Sequence, residues 1–145
     1  MKLTPELIPQ TSFFKNLRSE LKAKDWNLLK NACYSNAEYR CEICNGVGKK
    51  HPVECHEIWD YDMTTGVQTL KSLIALCPPC HEVKHHGLAE IRGRLYLAKR
   101  HLMAVNNITS TQADKAFKDS WILWNLRNSI QWKLDITPIT DILKL

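Results

Sequence analysis

Leu76-Cys77-Pro78-Pro79-Cys80-His81-Glu82-Val83-Lys84-His85-His86 is the stretch on which the reading of this chain turns. Pro78 and Pro79 suit the first turn of a helix, where the missing N–H had no partner to lose and the fixed φ is already helical. Cys77 and Cys80 form a C-x-x-C at that helix start, and His81 and His85 stand four apart, on one helix face. A second C-x-x-C, Cys41 and Cys44, lies in Arg40-Cys41-Glu42-Ile43-Cys44-Asn45-Gly46. Each pair places two thiolates on one tight turn, and two pairs supply the four corners of a zinc tetrahedron. Gly46 is expected to take a positive φ and so turn backbone N–H groups toward the sulfurs.

Between the two pairs, Val53 to Asp60 and Val67 to Leu76 flank a Thr64-Thr65-Gly66 turn and read as a β-hairpin. Asp60 and Asp62 sit beside that turn, in solvent. His56 on the hairpin, added to His81 and His85, makes three imidazole ligands with positions left open for water or phosphate.

The flanks read as helical. Trp26, Leu29, Cys33 and Ala37 make an apolar stripe on a helix from about Lys24 to Ala37, which makes Cys33 a small buried hydrophobe. Residues 1–20 read as irregular. Leu88, Ile91, Leu95, Ala98, Leu102 and Val105 step by three and four along one long helix, ended by Asn106-Asn107. Its polar side carries Arg92, Tyr96 and Lys99. A last helix, about Thr111 to Gln131, turns Ala113, Phe117, Trp121 and Trp124 to the core. The tail, Leu134 to Leu145, is expected to be extended. His51, His86 and His101 read as surface residues.

The chain has 145 residues, 44% of them hydrophobic and 24% charged, which suits one compact domain and excludes disorder as the default. No apolar run reaches the roughly 18 residues of a membrane helix, and the N-terminus lacks the pattern of a signal peptide. A cytoplasmic, membrane-free protein is expected, in which cysteines bind metal rather than form disulfides. A net charge of +5 permits a polyanionic partner without demanding one.

The ordered combination Cys41-x-x-Cys44, Glu54-x-His56-Glu57-Ile58 and Leu76-Cys77-x-x-Cys80-His81-x-x-Lys84-His85 resembles the HNH endonucleases, over residues about 40 to 88. It is also similar, more loosely, to short stand-alone bacterial HNH proteins. The resemblance implies an α+β protein with a small ββα-metal core and zinc knuckle. Residues 1–39 would form an N-terminal segment and helix, 40–88 the core, and 89–145 a C-terminal helical extension of a single domain. It implies structural Zn2+ on Cys41, Cys44, Cys77 and Cys80. It also implies a catalytic divalent metal (Zn2+, Mn2+, Ni2+ or Mg2+) on His56, His81 and His85. Aligning Ile58 with the family's aliphatic position puts Glu57 where the general-base His stands and Glu54 on the preceding acid. Ser72 replaces the Asn that orients that base. A second frame makes His56 the base and Cys55 the ligand.

The function implied is hydrolysis of DNA phosphodiesters, with Glu57 and His56 as catalytic residues and Lys49, Lys50, Lys84, Arg92 and Lys99 as phosphate contacts. Assembly as a homodimer or within a larger defence complex stays open. The alternative is a zinc-stabilised HNH-like module that binds nucleic acid or a protein without cleaving.

Overall fold

The computed structural model describes residues 1–13 and 15–143. A 3-10 turn at Gln10–Ser12 precedes α1 (Leu17–Glu20) and α2 (Ala23–Asn36). Strands β1 (Glu54–Asp62) and β2 (Val67–Leu76) follow, then α3 (Pro78–Lys84), α4 (His86–Ile91), α5 (Leu95–Asn106) and α6 (Ser110–Arg127). The described chain closes with β3 (Lys133–Asp135) and α7 (Thr137–Leu143). The architecture is α+β, with seven α-helices and one three-stranded sheet among the described residues.

The sheet order is β1-β2-β3, with β1 antiparallel and β3 parallel to β2. The hairpin turn closes because Asp62 accepts from the backbone N–H groups of Thr64 and Thr65, at 2.9 and 3.2 Å, and Gly66 takes a φ of 72°. His56 pairs with Ile74 and Glu57 with Leu73, and the register shifts between Ile58 and Trp59. Successive strand residues face opposite sides, so this register sorts the hairpin into two faces.

One face carries Ile74 and Leu76 and packs with Val83, Ala98, Leu102, Ala113 and Phe117 of α3, α5 and α6. The other carries Leu70, Leu73 and Ala75 and meets Leu17, Leu29, Cys33 and Ile139 from α1, α2 and α7. Cys33 is buried on its stripe, as its spacing implies. His56 belongs to the first face and Glu57 to the second, and that division decides the chemistry below.

Three expectations change. The long helix is two: α4 and α5 are separated at Arg92-Gly93-Arg94, where Gly93 takes a φ of 68°. Leu88 and Ile91, counted in the stripe, are 46% and 85% exposed, because α4 ends before their spacing can align with Ala98 and Leu102. Asn107 does end α5, in the left-handed conformation. The tail is not extended throughout. Asp135 accepts from Thr137 N–H at 3.0 Å and starts α7; Lys144 and Leu145 lie outside the described residues. Residues 1–20 hold the short α1, begun by an Asn16–Ser19 capping box. No described helix is long and apolar enough to cross a membrane.

Candidate metal centre and adjoining cavity

Cys41, Cys44, Cys77 and Cys80 converge, with all four sulfurs within 4.8 Å of one another. Cys44 Sγ and Cys77 Sγ are 3.5 Å apart, near the edge of a tetrahedron built on zinc–sulfur distances of about 2.3 Å. The knuckle is tight. Cys41 N–H donates to Gly46 O at 2.9 Å, and Gly46 N–H points at Cys44 Sγ at 3.4 Å. The positive φ falls on Asn45, at 63°, and not on Gly46. Gly46 is needed for space: a Cβ there would lie 3.3 Å from Cys44 Sγ. Glu42 docks the knuckle on β2, donating its N–H to Ala75 O and accepting from Ala75 N–H. The α3 start supplies the other two thiols, with Pro78 in its first turn. His101, expected on the surface, is half-buried with Nε2 3.1 Å from Cys80 Sγ. Such contacts orient and tune a metal's ligands. The four thiols are compatible with a structural zinc site.

The second cluster is His56, His81 and His85, again with ligand atoms within 4.8 Å of one another. β1 supplies the first ring, α3 the second, and the residue closing α3 the third. His81 Nε2 and His85 Nε2 are 3.0 Å apart. Burial, aided by the neighbouring His56, pushes the His81 pKa down against the pull of Glu54. Burial and the two other rings push His85 down to about 3. Both rings therefore stay neutral near pH 7, the state that ligates metal.

Two carboxylates contact these rings. Glu54 accepts from His81 Nδ1 and, at 2.7 Å, from His51 Nε2. Burial raises its pKa, but the bonds from His81 and His51 outweigh that and the net shift is down. Glu6 lies 3.3 Å from His56 Nε2 and 2.8 Å from Lys84 Nζ. Its burial is likewise outweighed, by His56 and Lys84, and its pKa falls to about 2. Glu6 comes from an N-terminal segment strapped over the site. Asn106 exchanges two hydrogen bonds with the Leu3 backbone, and Trp124 Nε1 donates to Ile8 O at 3.1 Å. Glu6 carries no sequence signal: it lies 50 residues before His56, outside every motif, and only the fold brings it in.

The structure sets Glu57 on the opposite strand face from His56, although it borders the same cavity as the three histidines. Glu57 lies on the side of Leu73 and Ala75. Both its oxygens are taken, Oε1 by Leu17 N–H at 2.9 Å and Oε2 by Trp59 Nε1 at 3.1 Å. Burial raises its pKa in spite of those bonds. Glu57 pins α1 to the hairpin. Cys55, the ligand of the second frame, packs on that same face against the Cys33 cluster. Ser72 is exposed on β2.

The expected phosphate contacts scatter. Lys49 and Lys50 are exposed on the loop before the hairpin, and Arg92 is exposed in the α4–α5 turn. Lys99 is paired with Asp114 at 2.7 Å. Lys84 is not presented to solvent at all. It is buried, its Nζ held by Thr4 and Glu6. His86 is fully buried rather than on the surface, with Nε2 2.7 Å from Ser120 Oγ. Trp121 and Trp124 are only half-buried, because the Ala113, Ala116, Phe117 and Ser120 face is the one that meets the core.

A cavity of about 630 Å³ opens beside the three histidines, bordered also by Glu6, Lys84, Arg18, Tyr61 and Arg127. It follows β1, an edge strand of the sheet, so residues of both faces border it, Cys55 and Glu57 as well as His56. The lining carries the acids Glu6 and Glu57 as well, and a cation held beside Arg18 and Arg127 can receive an anion and stabilise negative charge on it. No protein family, no curated protein and no solved structure matches this chain.

Proposed function

We propose that this protein is a metal-dependent nuclease of the HNH type, hydrolysing DNA phosphodiester bonds at the His56, His81 and His85 cluster. The observation that carries the reading is the convergence of these three imidazoles, from a hairpin strand and the helix that follows it, on a cavity that also carries Arg18 and Arg127. The hairpin-then-helix order with four thiols at its base agrees with a ββα-metal core.

In this reading Cys41, Cys44, Cys77 and Cys80 hold a structural zinc that ties the knuckle to the start of α3. A divalent cation on the three histidines would supply Lewis-acid stabilisation of charge developing on the phosphate. The three-imidazole set suits zinc, manganese or nickel better than magnesium, which prefers oxygen. Glu54 fixes the His81 tautomer, keeping the proton on Nδ1 and leaving Nε2 free to ligate. Glu6 lies against His56 Nε2 and is itself steadied by Lys84.

One observation favours the alternative, a zinc-stabilised module that binds nucleic acid or protein without cleaving. Glu57, at the family's base position, is committed to Leu17 and Trp59. Plasmid nicking by the purified protein over a panel of divalent metals, with His81→Ala beside it, separates the two readings.

A further inference from the structure

Arg127, the last residue of α6, borders the same cavity as His56, His81 and His85. Its guanidinium carbon lies 4.1 Å from the centroid of the Tyr61 ring. Tyr61 is in turn braced edge-on by Trp132, with ring centroids 5.1 Å apart. A guanidinium stacked on an aromatic ring keeps its N–H donors directed outward from its rim. Every ion pair among the described residues uses other cations, so Arg127 has no carboxylate partner there. The contrast with Lys84 on the same cavity wall is direct, since that ammonium is already engaged by Glu6 and Thr4.

A half-buried, ring-backed guanidinium with no carboxylate partner among the described residues suits an anion. Its planar fork matches two oxygens of one phosphate. The cavity that it shares with a three-imidazole cation site suits a chain that carries phosphates at regular intervals. We propose that Arg127 seats a backbone phosphate of the nucleic acid in this cavity, with Tyr61 as its rigid backing. The assignment rests on the nucleic-acid reading above but not on cleavage. Arg18 borders the cavity too, is exposed, and has no aromatic backing among the contacts described, so it ranks second.

The test is binding of a short fluorescein-labelled DNA duplex over a salt series, followed by anisotropy, in a His81→Ala background that keeps the DNA intact. Arg127→Gln should weaken binding about tenfold, the scale of one charge-assisted hydrogen-bonded contact. It should also make the dependence of log affinity on log salt shallower by about one. Arg127→Lys keeps the charge and loses the fork, so its salt slope should match the parent while its affinity falls between the two. It also stands in if Arg127→Gln fails to fold, because an affinity equal to the parent's would then refute the fork. Parent-like affinity and slope in Arg127→Gln overturn this assignment alone. Failure of the parent itself to bind DNA overturns the nucleic-acid reading and the assignment with it.

Discussion

Glu54 holds the Nδ1 edge of His81, and the far nitrogen of that ring, Nε2, therefore turns to His85 Nε2, 3.0 Å away. A strand carboxylate two residues before His56 thus orients a helix imidazole across the hairpin–helix junction. Carboxylates in this position raise ligand basicity and fix the tautomer. Glu54→Ala should lower divalent-metal affinity at the three-histidine site by about 10- to 100-fold. Competition titration with a chromophoric chelator measures it, on protein shown by elemental analysis to retain the zinc of the four cysteines. Unchanged affinity in Glu54→Ala would leave His81 oriented by packing alone.

Glu57 anchors α1, with both its oxygens taken by Leu17 and Trp59. Glu57→Gln keeps an acceptor oxygen for Leu17 N–H, so any nicking activity should stay within about twofold of the parent, well short of the ~100-fold effect typical of a lost general base. Glu57→Ala leaves Leu17 N–H and Trp59 Nε1 without their acceptor and should cost about 1–3 kcal/mol in denaturant unfolding. A Glu57→Gln protein that folds as the parent but loses cleavage would return Glu57 to the base position.

Gly48 joins the knuckle to both the hairpin and α3. A Cβ there would lie 2.1 Å from His51 O and 2.7 Å from Pro78 Cδ, while Gly48 N–H donates to Pro52 O at 2.9 Å. The collision is with backbone and a proline ring, neither of which can swing aside. Gly48→Ala should lower the melting temperature by roughly 5–10 °C and weaken zinc retention under chelator. Gly46→Ala meets only Cys44 Sγ, at 3.3 Å, and should be milder. Equal melting curves for the parent and Gly48→Ala would contradict this packing.

How much of this was legible in the sequence varied with the range of the interaction involved. Both ligand sets follow from local spacing, since a C-x-x-C turn and an i, i+4 pair place their side chains wherever the chain goes. His56 was found because hairpin alternation is also local. Glu57 was lost to that same alternation: adjacent strand residues face opposite sides, and the resemblance outweighed it. The break at Gly93 was hidden because apolar spacing continues across it, and only the left-handed φ stops the helix. Glu6 and Arg127 reach the site from the two ends of the chain, through Asn106, Trp124 and Tyr61, and no periodicity reports such contacts. Lys84 is expected from the sequence among the phosphate contacts, because its helix spacing cannot show the N-terminal segment lying over it.

Stripping metal tests the two clusters separately. The thiol site is closed and ties the knuckle to α3, so its loss should unfold the knuckle and lower the melting temperature. Cys77→Ser should do the same without chelator. His85→Ala should leave the melting temperature nearly unchanged while removing one equivalent of weakly held divalent ion. A Cys77→Ser protein with full zinc content and the parent's melting temperature would remove the structural zinc.

The most direct measurement is nicking of supercoiled plasmid by the parent and by His81→Ala, matched for zinc content by elemental analysis, with Mn2+, Ni2+, Zn2+ and Mg2+ supplied in turn. A nuclease centred on His56, His81 and His85 predicts nicking by the parent with at least one of the first three ions and none by His81→Ala with any. Equal nicking by both proteins, or none by the parent under every metal, would contradict it.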